Sequence, residues 1–220
     1  GKPVAFGGRI LQRVDHAHKK YVNSPESALY HKSDLLYGIY QAKAEIQKQN
    51  KCYIVEGNVD VLSMSQAGFL NVVASAGTAL TSNQIRLIKR FTNNVILMYD
   101  ADEAGIRASL KTIDLLLLEG MNVKLILFPN GEDPDSFCRK HSTEEINKYF
   151  EENERNLVSF KAHILLRGNV KNDPMKKAEV TQYIVQSISL ISDPIVTSFL
   201  VKEASQILGV SEPAIMKAIQ

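Results

Sequence analysis

Three groups of carboxylates stand at spacings that suit one hard cation or two. Glu56 is followed by Asp60 at i+4. Asp100 and Asp102 flank a single alanine, and Asp133 and Asp135 flank a single proline. In extended backbone the two acids of an Asp-x-Asp pair point to the same side, roughly 7 Å apart at Cα. Hard oxygen ligands select Mg²⁺ or Mn²⁺, and octahedral Mg²⁺ keeps waters and takes phosphate oxygens. Two such ions roughly 3.5–4 Å apart clamp the attacking and leaving oxygens of a phosphoryl transfer. The chemistry these acids suit is the making or breaking of a phosphodiester. Each motif alone has an ordinary structural use, because Asp after a strand is a common cap and Asp-Pro a common turn start. An acid pair after an apolar strand also occurs in phosphoryl-accepting receiver folds. What favours a shared metal over three separate caps is that the three motifs recur in order.

The elements around them give that order its meaning. Cys52-Tyr53-Ile54-Val55 is an apolar run that stops at Glu56. Val72-Val73-Ala74 is a second, followed by Ser75-Ala76-Gly77-Thr78. Val95 to Tyr99 is a third, stopped by Asp100, and Val123 to Phe128 a fourth, leading into Gly131-Glu132-Asp133-Pro134-Asp135. Continuous apolar runs predict strands buried on both faces. Helical patterns at about 59–67, 82–91 and 103–119 lie between them, with Thr81 and Ser82 as candidate caps for the second. Strands separated by helices predict βαβ units and a parallel sheet. Sites in such sheets gather at the carboxyl ends of the strands, which is where the acids fall. If a helix begins near Asn58, Glu56 and Asp60 sit over one strand end.

The regions on either side differ. Residues 1–32 carry Lys2, Arg9, Arg13, Lys19, Lys20 and Lys32 with three histidines, against Asp15 and Glu26. A basic stretch of this kind suits either a polyanion partner or a solvated loop. Residues of about 143–220 show helical periodicity alone, with Asp173-Pro174 and Asp193-Pro194 as helix starts. The expected organisation is therefore a basic segment over 1–40, an α/β catalytic unit over 41–142 and a helical unit over 143–220.

Composition excludes several classes. The chain has 220 residues, 45% hydrophobic and 23% charged, with a net charge of +2, which is ordinary globular chemistry. Cys52 and Cys138 lack Cys-x-x-Cys spacing, so neither a disulfide framework nor a zinc site is expected. No apolar stretch reaches membrane-spanning length, and no signal peptide is visible. The opening residues read as the interior of a folded region, which suggests a piece of a longer protein.

Val55-Glu56-Gly57-Asn58-Val59-Asp60 followed by Tyr99-Asp100-Ala101-Asp102-Glu103-Ala104-Gly105 resembles the Toprim module of primases, topoisomerases and some nucleases. Phe6-Gly7-Gly8-Arg9, Lys20-Tyr21-Val22-Asn23-Ser24-Pro25-Glu26, Tyr30-His31-Lys32 and Leu36-Tyr37-Gly38 resemble runs of one Toprim family, the bacterial replicative primases of the DnaG type. Ala74-Ser75-Ala76-Gly77-Thr78 and Gly131-Glu132-Asp133-Pro134-Asp135 complete the set. Asn58 stands where many of these primases have an aromatic residue, and Ala101 where many have glycine.

The resemblance implies template-directed synthesis of short RNA on single-stranded DNA from ribonucleoside triphosphates. It implies Glu56 as acid, base or metal holder, Asp100 and Asp102 as metal ligands, and Asp60, Asp133 and Asp135 completing the cluster around two or more Mg²⁺ or Mn²⁺ ions. It implies Arg9, Lys20, Asn23 and Lys32 facing the template or the triphosphate, and Ser75 and Gly77 shaping a neighbouring loop. It further implies a bacterial cytoplasmic protein whose zinc-binding and helicase-binding domains lie outside this sequence. Two other readings compete. A DNA-cleaving Toprim enzyme of the topoisomerase class needs a tyrosine nucleophile, for which no tyrosine here has an arguable context. A non-enzymatic module would use the acids for a structural cation. A receiver domain leaves residues 1–40 and the helical tail unexplained.

Overall fold

The computed structural model describes residues 1–9, 21–75, 79–100, 102–129, 131–168, 170 and 173–219, without the side chains of Arg9, Tyr21 and Ala104. It opens with β1 (Gly7–Arg9) antiparallel to β2 (Tyr21–Asn23). Residues 32–37 then run along the edge of the main sheet. Gln84 Nε2 donates to the carbonyls of Lys32 and Leu35, both at 2.8 Å. Tyr37 bridges Ala74 through backbone bonds of 2.9 and 3.1 Å. Helix α1 (Ile39–Gln49) follows.

Among the described residues, five strands form the main sheet. β3 (Cys52–Val55), β4 (Val72–Ala74), β5 (Asn94–Tyr99) and β6 (Asn122–Leu127) are parallel in the order β4-β3-β5-β6. The short β7 (Arg155–Asn156) closes the β6 edge antiparallel. The crossovers are α2 (Asn58–Gln66), α3 (Ser82–Lys89) and α4 (Glu103–Leu118). Thr81, not Ser82, caps α3: its Oγ1 accepts from Gln84 N at 3.2 Å while Gln84 Oε1 accepts from Thr81 N at 3.0 Å, a reciprocal box that satisfies two donors at once.

Side chains alternate along each strand, so both sheet faces carry a core. Ile54, Val73, Leu97 and Leu125 pack on one side with Ile46 of α1, Ile85 and Ile88 of α3, and Ile113 and Leu116 of α4. That core continues into α7 (Leu157–Leu165), α8 (Pro174–Ser189), α9 (Pro194–Leu208) and α10 (Glu212–Ile219). On the other side Tyr53, Val55, Ile96, Met98 and Ile126 meet α2, α5 (Pro134–Lys140) and α6 (Thr143–Asn153). The expected α/β sheet flanked by helices, with a helical region after it, is the observed architecture.

The region after residue 142 is not helical alone, however. Ile146 and Phe150 of α6 bury against the aromatic cluster of Tyr53, Phe69 and Phe128, with Phe69 and Phe150 ring centroids 5.0 Å apart. β7 then pairs with β6. The helical periodicity of α6 reports an apolar stripe but not which layer receives it. Among the described residues, no helix is long and apolar enough to cross a membrane.

Candidate active site

In the parallel ladder Val55 lies opposite Met98, and Tyr99 opposite Leu127. Glu56 and Asp100 therefore leave neighbouring strands at the same edge of the sheet. The Glu56 carboxylate accepts the Asp100 backbone N–H. Its Oε1 is buried and has no hydrogen-bond partner among the described residues, a costly state for a carboxylate oxygen. Burial, and then the negative charges of Asp100 and Asp102, raise the Glu56 pKa above the ordinary carboxylate range.

Asp60 sits in the first turn of α2, where Oδ2 accepts the Gly57 N–H at 2.9 Å. Burial pushes its pKa up to about 7; the Gly57 bond opposes this, and the charges of Asp133, Asp100 and Asp135 add to it. A folded-state pKa above the unfolded value means stability is fully present below about pH 4 and is lost as pH rises through about 7. The metal-free protein is thus expected to lose stability over that interval. Asp60→Asn should flatten the profile and raise stability at pH 8 by on the order of 2–4 kcal/mol. Thermal unfolding in chelator from pH 4 to 8 measures it, and parallel profiles for the two proteins would refute it.

The remaining acids have additional structural employment. Asp102 is exposed and caps α4, accepting the Gly105 N–H at 2.7 Å. Asp133 caps α5 through the Ser136 N–H at 2.7 Å, the ordinary use of Asp before Pro. Asp135 pairs with Arg139 Nε at 2.7 Å and accepts the Ser63 hydroxyl. Arg107 pairs with Glu103 at 3.2 Å, and Lys140 with Glu132 at 3.0 Å. The donor set is all hard oxygen, mutually repulsive, with one orphaned buried oxygen at its centre. It fits a divalent cation, although among the described residues no three acids already close on one point.

The β1–β2 pair borders this edge. A methyl group placed on Gly7 would lie 2.9 Å from Asn23 Oδ1 and 3.1 Å from Asn58 Nδ2. β1, Asn23 and the first residue of α2 are therefore crowded together two positions from Glu56. Lys32 is held through its backbone, its N–H donating to Glu26 Oε1 at 3.1 Å. Arg9 is placed by its backbone in β1, while Lys20 and Gly77 lie outside the described residues. In sequence Asn58 stands out only as a departure from the aromatic residue of many primases, yet its Oδ1 is buried without a partner among the described residues. An amide at the first position of a helix, next to a strand-end acid, was the available signal.

Gly105 carries a stricter requirement. A Cβ there would lie 2.3 Å from the Asp100 carbonyl oxygen, so α4 can approach the strand end only without a side chain. Gly105→Ala is expected to cost about 1–3 kcal/mol and to move Asp100 and Asp102 relative to Glu56. Denaturant unfolding checks the first effect, and an unchanged midpoint would show that the close approach is not needed.

Residues 53–138 match the Toprim-like family model, and residues 1–43 match that of the DNA primase catalytic core, N-terminal domain. A DNA primase of Clostridium acetobutylicum is 39% identical over 223 residues, covering 100% of this chain and 36% of that protein. A solved DnaG catalytic core superposes with a TM-score of 0.79 at 30% identity, covering 96% of this chain and 68% of the other. The chain belongs to the DnaG family of bacterial DNA primases. A solved DnaG primase catalytic domain bound to single-stranded DNA is similar as well, with a TM-score of 0.79, 32% identity, and coverage of 94% and 66%. The chain spans about a third of the length of the curated DNA primases it matches. The two family models fall on the two parts the geometry brings together. The primase N-terminal model contains the β1–β2 pair, and the Toprim-like model runs from β3 to α5.

Proposed function

We propose that this chain carries the nucleotidyl-transfer site of a DNA primase. On this reading it joins ribonucleoside triphosphates into short RNA primers, directed by a single-stranded DNA template, and releases pyrophosphate. The observation that carries the reading is the orphaned Glu56 Oε1, buried at a strand end among like charges and bordered by the β1–β2 pair.

The Toprim fold of primases binds divalent metal. Glu56, Asp60 and Asp100 would hold Mg²⁺ or Mn²⁺, with Asp102, Asp133 and Asp135 around them, and two or more ions are the expected complement. Bound there, the metal neutralises charge on the triphosphate and polarises its oxygens. Glu56 Oε1, which has no partner among the described residues, is the atom that would take the proton lost by an attacking 3′-hydroxyl. Arg9, Lys20, Asn23 and Lys32 would face the template or the triphosphate, which makes binding weaken with salt. The replicative helicase would be met through a region outside this chain, and the working compartment would be the bacterial cytoplasm.

The test is primer synthesis by the full-length protein on single-stranded DNA with labelled ribonucleotides. Short RNA is expected with Mg²⁺ or Mn²⁺, and none with chelator or with Asp100→Asn. No RNA from folded full-length protein, with metal-dependent nicking of DNA instead, would move the assignment to a DNA-cleaving Toprim enzyme.

A further inference from the structure

The strap of residues 32–37 has no regular structure of its own, yet the first turn of α3 grips it at several points. Gln84 is the centre of the grip. It is 0% exposed, and its amide is in use at both ends. Nε2 carries two hydrogens, and they go to the carbonyls of Lys32 and Leu35, each at 2.8 Å. Oε1 accepts the Thr81 N–H at 3.0 Å. Beside it the Thr81 hydroxyl donates to the Ser33 carbonyl, and Asn83 Nδ2 donates to Asp34 Oδ1 at 2.9 Å. A buried amide is tolerated when its polar atoms are satisfied. A strap that left α3 would strand Gln84 together with its own carbonyls.

Lys32 is held on both sides. Gln84 takes its carbonyl, and Glu26 Oε1 accepts its N–H at 3.1 Å. Its ammonium takes part in no ion pair among the described residues. The topology sets where that charge is mounted. α3 crosses from β4 back to a parallel strand, so its first turn stands at the carboxyl edge of the sheet, the edge that carries Glu56 and Asp100. At the far end of the strap Tyr37 pairs with Ala74, which lies opposite Val55, the residue before Glu56. A fixed cation without an internal counter-charge suits an anion arriving at that edge. On a loose strap the same lysine would lose backbone freedom on binding, which weakens affinity.

We propose that Gln84 is a positioning residue, whose two bonds to the strap preset Lys32 for a phosphate at the acid-bearing edge of the sheet. Gln84 touches no ligand and acts through Lys32 alone. The phosphate belongs either to the backbone of the DNA strand or to an incoming triphosphate. Only that choice rests on the proposed primer synthesis. The mounting of Lys32 does not.

The experiment uses the full-length protein in two arms. One measures binding of a fluorescent single-stranded DNA oligonucleotide over a range of salt, and the other KM and kcat for ribonucleotides in primer synthesis with Mg²⁺. Lys32→Met is expected to weaken oligonucleotide binding and to make its dependence on log salt shallower by about 0.7. Gln84→Met should reproduce most of both changes, and the double variant should be no worse than Lys32→Met alone. The same pattern in KM for the ribonucleotides, with oligonucleotide binding unchanged, supports the proposal and assigns the phosphate to the triphosphate. Gln84→Glu keeps the shape and, protonated where it is buried, one donor. It should recover part of the loss, and it carries the test if thermal unfolding shows Gln84→Met unfolded. Losses that add in the double variant overturn the proposal, because Gln84 then serves structure alone. So does a Lys32→Met protein with binding, salt dependence and KM unchanged. A protein that makes no primer yet shows the binding pattern upholds the role of Gln84 and fails the primase reading.

Discussion

Full-length protein carrying Glu56→Gln is expected to lose primer synthesis by about 10²–10⁴-fold while its metal-free form becomes no less stable. The two effects have one cause. Glu56 is a buried carboxylate, raised in pKa by burial and by Asp100 and Asp102, with Oε1 unpartnered. Glutamine keeps the shape and an oxygen for the Asp100 N–H, but it removes the charge and the proton-holding group. Loss of charge relieves repulsion in the absence of metal and removes function in its presence. A residue serving only as structure would lose stability and activity together. Primer synthesis and thermal unfolding in chelator, run on the same preparations, separate the cases. Activity within about threefold of wild type would remove Glu56 from the mechanism.

Lys161→Met is expected to destabilise the chain by on the order of 3 kcal/mol, with most of the loss recovered in the double variant Lys161→Met, Asp114→Leu. Lys161 is fully buried, 0% exposed, on α7. Its Nζ reaches Asp114 of α4 at 2.8 Å, contacts the Ser187 hydroxyl of α8, and lies 4.0 Å from the centre of the Tyr183 ring. Burial lowers its pKa, and Asp114 works against that shift. Ser187 also donates to Asp114 Oδ1 at 2.7 Å. Removing the lysine leaves a partly buried carboxylate with only neutral donors, the hydroxyls of Ser187 and Tyr183, whereas removing both charges leaves an apolar contact between α4, α7 and α8. Urea unfolding of the single and double variants measures the coupling. A single variant within about 0.5 kcal/mol of wild type would show that the charge is already offset elsewhere.

The four parallel strands were legible because each is a continuous apolar run with a sharp polar stop, and the sheet's strand ends follow from that. Glu56 and Asp100 were legible for the same reason. Helix α1 was not expected: among its residues only Ala42 and Ile46 are buried, and Gly38 before it has φ 83° and no side chain to cap with. Its position is set by the sheet, not by its own pattern. The two residues of β7 carry no strand signal, and their pairing with Lys124 and Leu125 is purely tertiary. Asp133 and Asp135 show the limit of motif spacing, because the same Asp-Pro-Asp reads equally as a cap and as a ligand pair.

The in-register pairing of β3 with β5, from Cys52 with Val95 to Val55 with Met98, also governs how this sequence can change in length. Adding or deleting one residue inside either strand turns every following side chain to the opposite face. It would send Glu56 or Asp100 into a hydrophobic layer. The turns after α2 and α3 carry no such constraint, since helices and loops absorb an extra residue at small cost. Length variation among descendants of this chain is therefore filtered by position. The connections can lengthen freely, while the two strands that deliver the acids admit no change in length at all.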